Sequence, residues 1–205
     1  MIRFALTLFM LAAALPARAG VEIAEITTPG GFEAWLVEDH AIPFVALELR
    51  FRGGASLDAP DARGATNLMV GLLEEGAGER DARAFAQATE ELAARFGYSV
   101  SDDAVSISAR FLTEHRSASV DLLRDSLIAP RFDADAIERA RAQVLAGLRS
   151  DVTDPRDIAS REAAQLIYGD HPYGSKHEGT PESVAALTRD DILAAHRGAL
   201  ARDRV

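Results

Sequence analysis

The sequence predicts an α+β domain in which a largely antiparallel sheet carries helices packed on one face. Three observations predict it. Short apolar and polar alternations come first, amphipathic helical stripes follow, and strands then helices return without the strict βαβα order of a doubly wound sheet. The scale fits one lobe or domain: 205 residues, 48% hydrophobic and 26% charged, suffice for a continuous core.

Each element has its own signal. Residues 21–27 and 32–38 alternate on either side of Pro29-Gly30-Gly31, which reads as a hairpin, and 44–51 reads as a third strand ending at Gly53-Gly54. Residues 61–75 place Ala65, Leu68, Met69, Leu72 and Leu73 at i, i+3, i+4, i+7 and i+8, an amphipathic helix stopped by Gly76 and Gly78. Residues 82–96 repeat that period through Phe85, Ala88, Leu92 and Phe96. Residues 98–100 and 104–111 read as strands, the second alternating at Val105, Ile107 and Ala109. Thr113 is a candidate N-cap for a helix over 114–128 that ends before Pro130. Helices are expected over 133–151 and 155–168, a loop over 169–180, and a last helical stretch over 181–196 with Thr188 as a cap inside it. At Arg202-Asp203-Arg204-Val205 a new strand is expected to begin, so the sequence is expected to stop part-way through a longer protein, with a C-terminal lobe missing.

Arg3, the apolar run over 4–15 and the small-residue ending Ala17-Arg18-Ala19 read as a secretory signal peptide over residues 1–19, leaving a lobe over 20–205. The run is too short to span a bilayer, for which about 20 residues are needed. Export implies the periplasm of a bacterium-like cell. Basic residues number 22 against 32 acids, a formal charge of −10, which argues against a nucleic-acid partner and against docking on anionic membrane. No cysteine is present, so neither a disulfide framework nor a thiolate metal site exists.

The segment Gly64-Ala65-Thr66-Asn67-Leu68-Met69-Val70-Gly71-Leu72-Leu73-Glu74-Glu75-Gly76 follows Gly53-Gly54-Ala55-Ser56-Leu57-Asp58. It resembles the helix of the pitrilysin/insulinase/mitochondrial processing peptidase family, in whose active members that helix carries an inverted zinc motif, H-x-x-E-H. Two histidines at i and i+4 share a helix face and hold Zn²⁺, while the glutamate acts on the metal-bound water. Laid on this sequence, the first histidine falls on Asn67, the glutamate on Val70 and the second histidine on Gly71. The family's further ligand is a glutamate in a V-L-x-E-[IL] setting. The matching stretch, Val144-Leu145-Ala146-Gly147-Leu148, puts Gly147 there, 76 residues after Gly71. The resemblance extends through Pro130-Arg131-Phe132-Asp133, Asp154-Pro155, His171-Pro172-Tyr173-Gly174 and Gly179-Thr180-Pro181-Glu182-Ser183.

With all four positions degenerate, the resemblance implies a chain without catalytic residues, metal or other cofactor of its own. Family members pair lobes or chains to enclose an extended peptide, and in two-chain versions one subunit carries zinc while the other does not. The leading expectation is therefore a non-catalytic subunit of a secreted two-chain zinc metalloendopeptidase, partnered by a zinc-bearing homologue and enclosing peptide substrates. The alternative is a peptide-binding or scaffold protein without a proteolytic partner. The family's peptide-binding edge strand maps to Phe96, Gly97, Tyr98, Ser99 and Val100, where main-chain hydrogen bonds would hold an added strand.

Other groupings carry less. His171, His177 and Glu178 share a loop, but their spacing belongs to no helix face, and they read as packing or solvated residues rather than a metal site. Asp102-Asp103 reads as a turn between strands rather than a hard-cation site. Ser56, Ser99, Ser101, Ser106 and Ser108 lack the G-x-S-x-G setting of a nucleophile. Glu74, Glu75 and Glu79 read as a solvated helix end, Trp35 and Phe32 as core, and Arg139, Arg141, Arg149 and Arg156 as a salt-bridged helix face.

Overall fold

The computed structural model describes residues 22–205, in two compact units divided after residue 42. The signal peptide expected over residues 1–19 lies outside the described residues. In the first unit, β1 (Ala24–Thr27) and β2 (Glu33–Leu36) pair antiparallel, with Glu25 opposite Trp35 and Ile26 opposite Ala34. The turn is closed by the Thr28 amide, which donates to the Phe32 carbonyl at 2.8 Å, and the Phe32 amide donates to Thr28 Oγ1 at 3.0 Å. Trp35, read from the sequence as core, is 80% exposed, and Phe32 is exposed as well. A two-stranded ribbon has no second layer in which to bury an aromatic ring.

The second unit runs in order through β3 (Phe44–Arg52), α1 (Ala65–Gly71), the short hairpin of β4 (Gly76–Ala77) and β5 (Arg80–Asp81), and α2 (Ala82–Glu91). It continues through β6 (Arg95–Val100), β7 (Ala104–Leu112), α3 (Arg116–Ile128), α4 (Ala134–Asp151), α5 (Pro155–Tyr168), α6 (Pro181–Ala186) and α7 (Arg189–Ala199). The sheet has the antiparallel order β3-β7-β6, with Leu49 opposite Ile107 and Tyr98 opposite Ile107 on the other side. Alternation along β7 decides which face is covered: Val105, Ile107, Ala109 and Phe111 are buried, while Ser108 and Arg110 face out. The core joins that buried row to the α1 stripe, in which Ala65, Leu68, Met69, Leu72 and Leu73 are all 2% exposed or less, and to Phe132, Ile137 and Ile192. The predicted α+β class, an antiparallel sheet with helices on one face, is the observed one.

Several boundaries move, each for a local reason. The helix expected over 61–75 is confined to α1, since residues 60–62 form a 3₁₀ turn and Gly64 takes φ +98°. The helix expected over 82–96 stops at Glu91, the chain reverses at Ala93 (φ +48°), and Phe96 belongs to β6. Phe96 still meets Phe85, ring centres 6.3 Å apart, so the apolar period that reads as helix is completed by a strand. Thr113 opens a 3₁₀ turn and does not cap α3. Thr188 does cap: its hydroxyl accepts the Asp191 amide at 3.3 Å, and the Asp191 carboxylate accepts the Thr188 amide at 2.8 Å. That box starts α7 and splits the stretch 181–196 into two helices.

Arg141 pairs with Glu138 at 3.2 Å on its own helix face, as read from the sequence, but it does more. Its guanidinium reaches past Glu138 to the carbonyls of Val184 and, at 2.9 Å, Leu187, tying α4 to the end of α6. Arg63 is buried more deeply, 6% exposed. It donates to the Ala55 carbonyl, to Asp102 Oδ1 at 2.9 Å, to the Pro172 carbonyl at 3.0 Å, and to Ser175 Oγ and carbonyl at 3.0 and 3.1 Å. Asp102-Asp103 thus serves packing, because Asp103 Oδ1 also accepts the Tyr173 hydroxyl.

Removing the Arg63 guanidinium would strand these acceptors away from water. Arg63→Met is expected to lose about 3 kcal/mol of unfolding free energy in a urea titration followed by far-UV circular dichroism. His196 gives a pH signature. Its Nε2–H donates to the Leu127 carbonyl at 2.8 Å and its ring lies edge-on to Phe132, 5.8 Å away. Burial lowers its pKa below 6.5; the Leu127 bond opposes this and the Arg197 charge adds to it. The folded state therefore prefers neutral histidine, so this contribution is present above about pH 6.5 and is lost as pH falls through the lowered folded value. His196→Gln is expected to flatten the decline in stability between about pH 7.5 and about pH 5.5.

Candidate functional site

The four degenerate positions and the edge strand meet in one cleft of about 660 Å³. One wall is α1 and the residues after it, with Asn67, Val70, Gly71, Glu74 and Glu75. A second wall is α4, and the third is the end of β6 with Tyr98, Ser99 and Val100; His177 and Glu178 lie at the rim. Of the five residues assigned to the edge strand, Phe96 and Gly97 do not line the cleft.

Local chemistry fixes the first wall. Gly64 caps α1 in the left-handed region, and a Cβ there would come within 2.5 Å of the Glu178 carbonyl oxygen, so no other residue fits. The Asp58 carboxylate, arriving from the preceding loop, accepts the Gly64 amide at 2.9 Å, the Thr66 amide at 3.0 Å and the Thr66 hydroxyl at 2.5 Å. It satisfies first-turn amides that the glycine cap cannot reach. Burial raises the Asp58 pKa above the ordinary carboxylate range, against the pull of the Thr66 and Gly64 bonds and the Arg63 charge.

The second wall was only partly found from the sequence. Gln143 and Arg139 precede Gly147 by four and eight residues, and Asp151 follows it by four, so all share its helix face; that spacing was the available signal. Arg139 donates to Glu75 at 2.8 Å across the cleft and to Asp135 at 2.6 Å along its own helix. Glu75 therefore ties the segment after α1 to α4 rather than standing as a free helix end. Glu74 stands beside it with its pKa raised, first by burial and then by the Glu75 charge. Burial also pushes the Tyr98 phenol up to about 12; the Ser126 bond acts against the rise and the Glu74 charge adds to it. The Tyr98 and Ser126 hydroxyls lie 2.7 Å apart, and the Ser126 hydroxyl also reaches the Leu123 carbonyl at 2.7 Å.

The third wall is a sheet edge. Among the described residues β6 pairs only with β7. The Ser101 amide donates to the Ala104 carbonyl at 2.8 Å, and in an antiparallel pair bonded and non-bonded residues alternate. Ser99 thus faces inward to Ser106, whereas the amides and carbonyls of Phe96, Tyr98 and Val100 face away from β7.

The donor set does not fit zinc. Asn67 supplies one amide, Val70 an isopropyl group, and Gly71 and Gly147 bare backbone, where an added Cβ would meet nothing within 4 Å. His177 and Glu178 pair with each other at 3.4 Å, whereas His171 Nδ1 accepts the Tyr173 amide at 3.2 Å. Among the described residues no three His, Cys, Asp or Glu stand where they could hold a metal ion. No described helix is long and apolar enough to cross a membrane.

Comparison with known proteins agrees with this geometry. The family model of the insulinase peptidases, family M16, matches residues 34–180. A non-peptidase homologue from Helicobacter pylori is 30% identical over 155 residues, covering 76% of this chain and 36% of that protein. An uncharacterized zinc protease from Mycobacterium leprae is 26% identical over 176 residues, covering 85% of this chain and 39% of that one. The crystal structure of a peptidase M16 inactive domain from Pseudomonas fluorescens superposes with a TM-score of 0.81 at 31% identity, over 86% of this chain and 43% of that one. The chain therefore spans well under half the length of these relatives. A helix with the family's glycines and leucines, facing the second helix and the sheet edge but without its zinc ligands, places the chain in the insulinase (M16) peptidase family.

Proposed function

We propose that this chain is the N-terminal lobe of a secreted, non-catalytic subunit that pairs with a zinc-bearing homologue and completes the chamber in which that partner cleaves peptides. One observation carries the reading: the cleft has its walls and its open sheet edge, while the positions that would hold or use the metal offer one amide and no other side-chain donor. Val70 cannot act as a general base, and a lone amide cannot retain Zn²⁺ at sub-micromolar levels. The inactive domain from Pseudomonas fluorescens and the non-peptidase homologue from Helicobacter pylori lend support by likeness. Secretion rests on the leader pattern of residues 1–19.

The physical role is enclosure. An extended peptide laid along β6 would bond to the outward amides and carbonyls of Tyr98 and Val100, gaining affinity with little sequence preference.

The purified chain is expected to show no peptide hydrolysis with or without added zinc; cleavage abolished by a chelator would overturn the reading. Affinity capture of the full-length protein from periplasm, followed by metal analysis, is expected to recover a zinc-containing partner subunit, and a metal-free self-pair would remove the peptidase pair. Val100→Pro removes an outward N–H without touching the β6–β7 ladder. It is expected to weaken binding of a labelled extended peptide by about fivefold; equal binding would count against the sheet edge as the contact.

A further inference from the structure

We infer that Asn67 on α1 and Gln143 on α4 form a pair of amide clamps that hold the main chain of the bound peptide along the edge that β6 leaves bare. This rests on the edge reading above and deepens it by naming the groups that grip the strand's second edge. Both helices present the same pair to the cleft, an amide and one turn later a glycine: Asn67 with Gly71, and Gln143 with Gly147. Residues four apart share a helix face. At both glycines an added Cβ would meet nothing within 4 Å, so each amide stands beside open space into which a main chain can come close.

What the cleft still has to offer decides the class of ligand. Most of its charged and hydroxyl groups are engaged: Arg139 by Glu75 and Asp135, Asp151 by Lys176 at 2.8 Å, Glu178 by His177, and the Tyr98 hydroxyl by Ser126. The side-chain amides of Asn67 and Gln143 bond to no other described residue. Each carries an acceptor oxygen, two N–H donors and no charge. Their complement is a neutral group that sets one donor beside one acceptor, which is a peptide unit. Glu74, which only accepts, has no ion pair among the described residues and adds a place for an N–H.

Strand geometry supplies the need for such clamps. A peptide added to β6 bonds through every second residue to the outward groups of Tyr98 and Val100, and its intervening N–H and C=O groups point away from β6. Those groups then lie in a cleft whose other walls are α1 and α4. Where the cleft shelters them from water, each one left without a partner costs about as much as the bond it lacks. An amide on each helix meets them, donor to carbonyl and oxygen to N–H, so the peptide is held by its main chain on both edges. Neither clamp reads a side chain, and the cleft therefore accepts many sequences.

The test uses two fluorescein-labelled octapeptides with uncharged side chains, Ser-Thr-Val-Thr-Val-Thr-Ser-Gly and Gln-Ala-Ser-Ala-Gln-Ala-Ser-Gly, titrated by fluorescence anisotropy against the full chain. Asn67→Leu and Gln143→Met keep the size of the side chain and remove its amide. Each is expected to weaken binding about fivefold, by the same factor for both sequences, with far-UV circular dichroism reporting the fold. Gln143 is exposed on α4, so Gln143→Met tests the clamp even where Asn67→Leu disturbs α1. Wild-type affinity in both variants, or a loss confined to one of the two sequences, overturns the clamp, and the edge reading stands if Val100→Pro still weakens binding. If the wild type binds neither peptide, the edge reading falls and the clamp with it.

Discussion

Arg63 is almost withdrawn from water, yet every direction in which its guanidinium points ends on an oxygen: the carbonyls of Ala55, Pro172 and Ser175, the Ser175 hydroxyl and the Asp102 carboxylate. Those groups come from the segment after β3, the β6–β7 turn and the loop before α6. One planar cation with five donors is suited to hold three chain segments at once, and a lysine could not replace it. Its own carbonyl accepts the Ser183 hydroxyl at 2.7 Å, and the next residue is Gly64, the cap of α1. The direction in which α1 leaves this cluster follows, and the first wall of the cleft with it.

The cleft then separates shape from reactivity. The Gly64 cap and the Asp58 clamp set the start of α1, and the Glu75–Arg139 pair ties the segment after it to α4; none of them depends on a metal. The reacting groups are another matter. The positions that the resemblance assigns to them hold an amide, an isopropyl group and two glycines, which offer little or no electron pair.

Much of this was legible in advance, and the limits have physical causes. The α1 stripe and the β7 alternation were read correctly because each buries a face over several turns or pleats, where period is the strongest signal. Asn67, Val70, Gly71 and Gly147 were picked out by the family resemblance, and the structure brings these four residues to one cleft. The end of α2 was missed because Phe96 satisfies a helical period while reaching Phe85 from a strand. The depth of Arg63 and Arg141 was missed for a different reason: their partners are backbone carbonyls remote in sequence, and no pattern of side chains announces a carbonyl. Trp35 misled because hydrophobicity records what a residue could bury, whereas a two-stranded ribbon offers nothing to bury it in.

That tryptophan has a practical consequence. It is the chain's single indole and belongs to the hairpin unit, while the α1 stripe, the sheet and the Arg63 cluster all belong to the other. Its emission in the native state should already resemble that of a solvated fluorophore. Unfolding of the main unit would therefore pass almost unseen by intrinsic fluorescence, and a flat emission trace during a denaturation would say nothing about whether the core had melted.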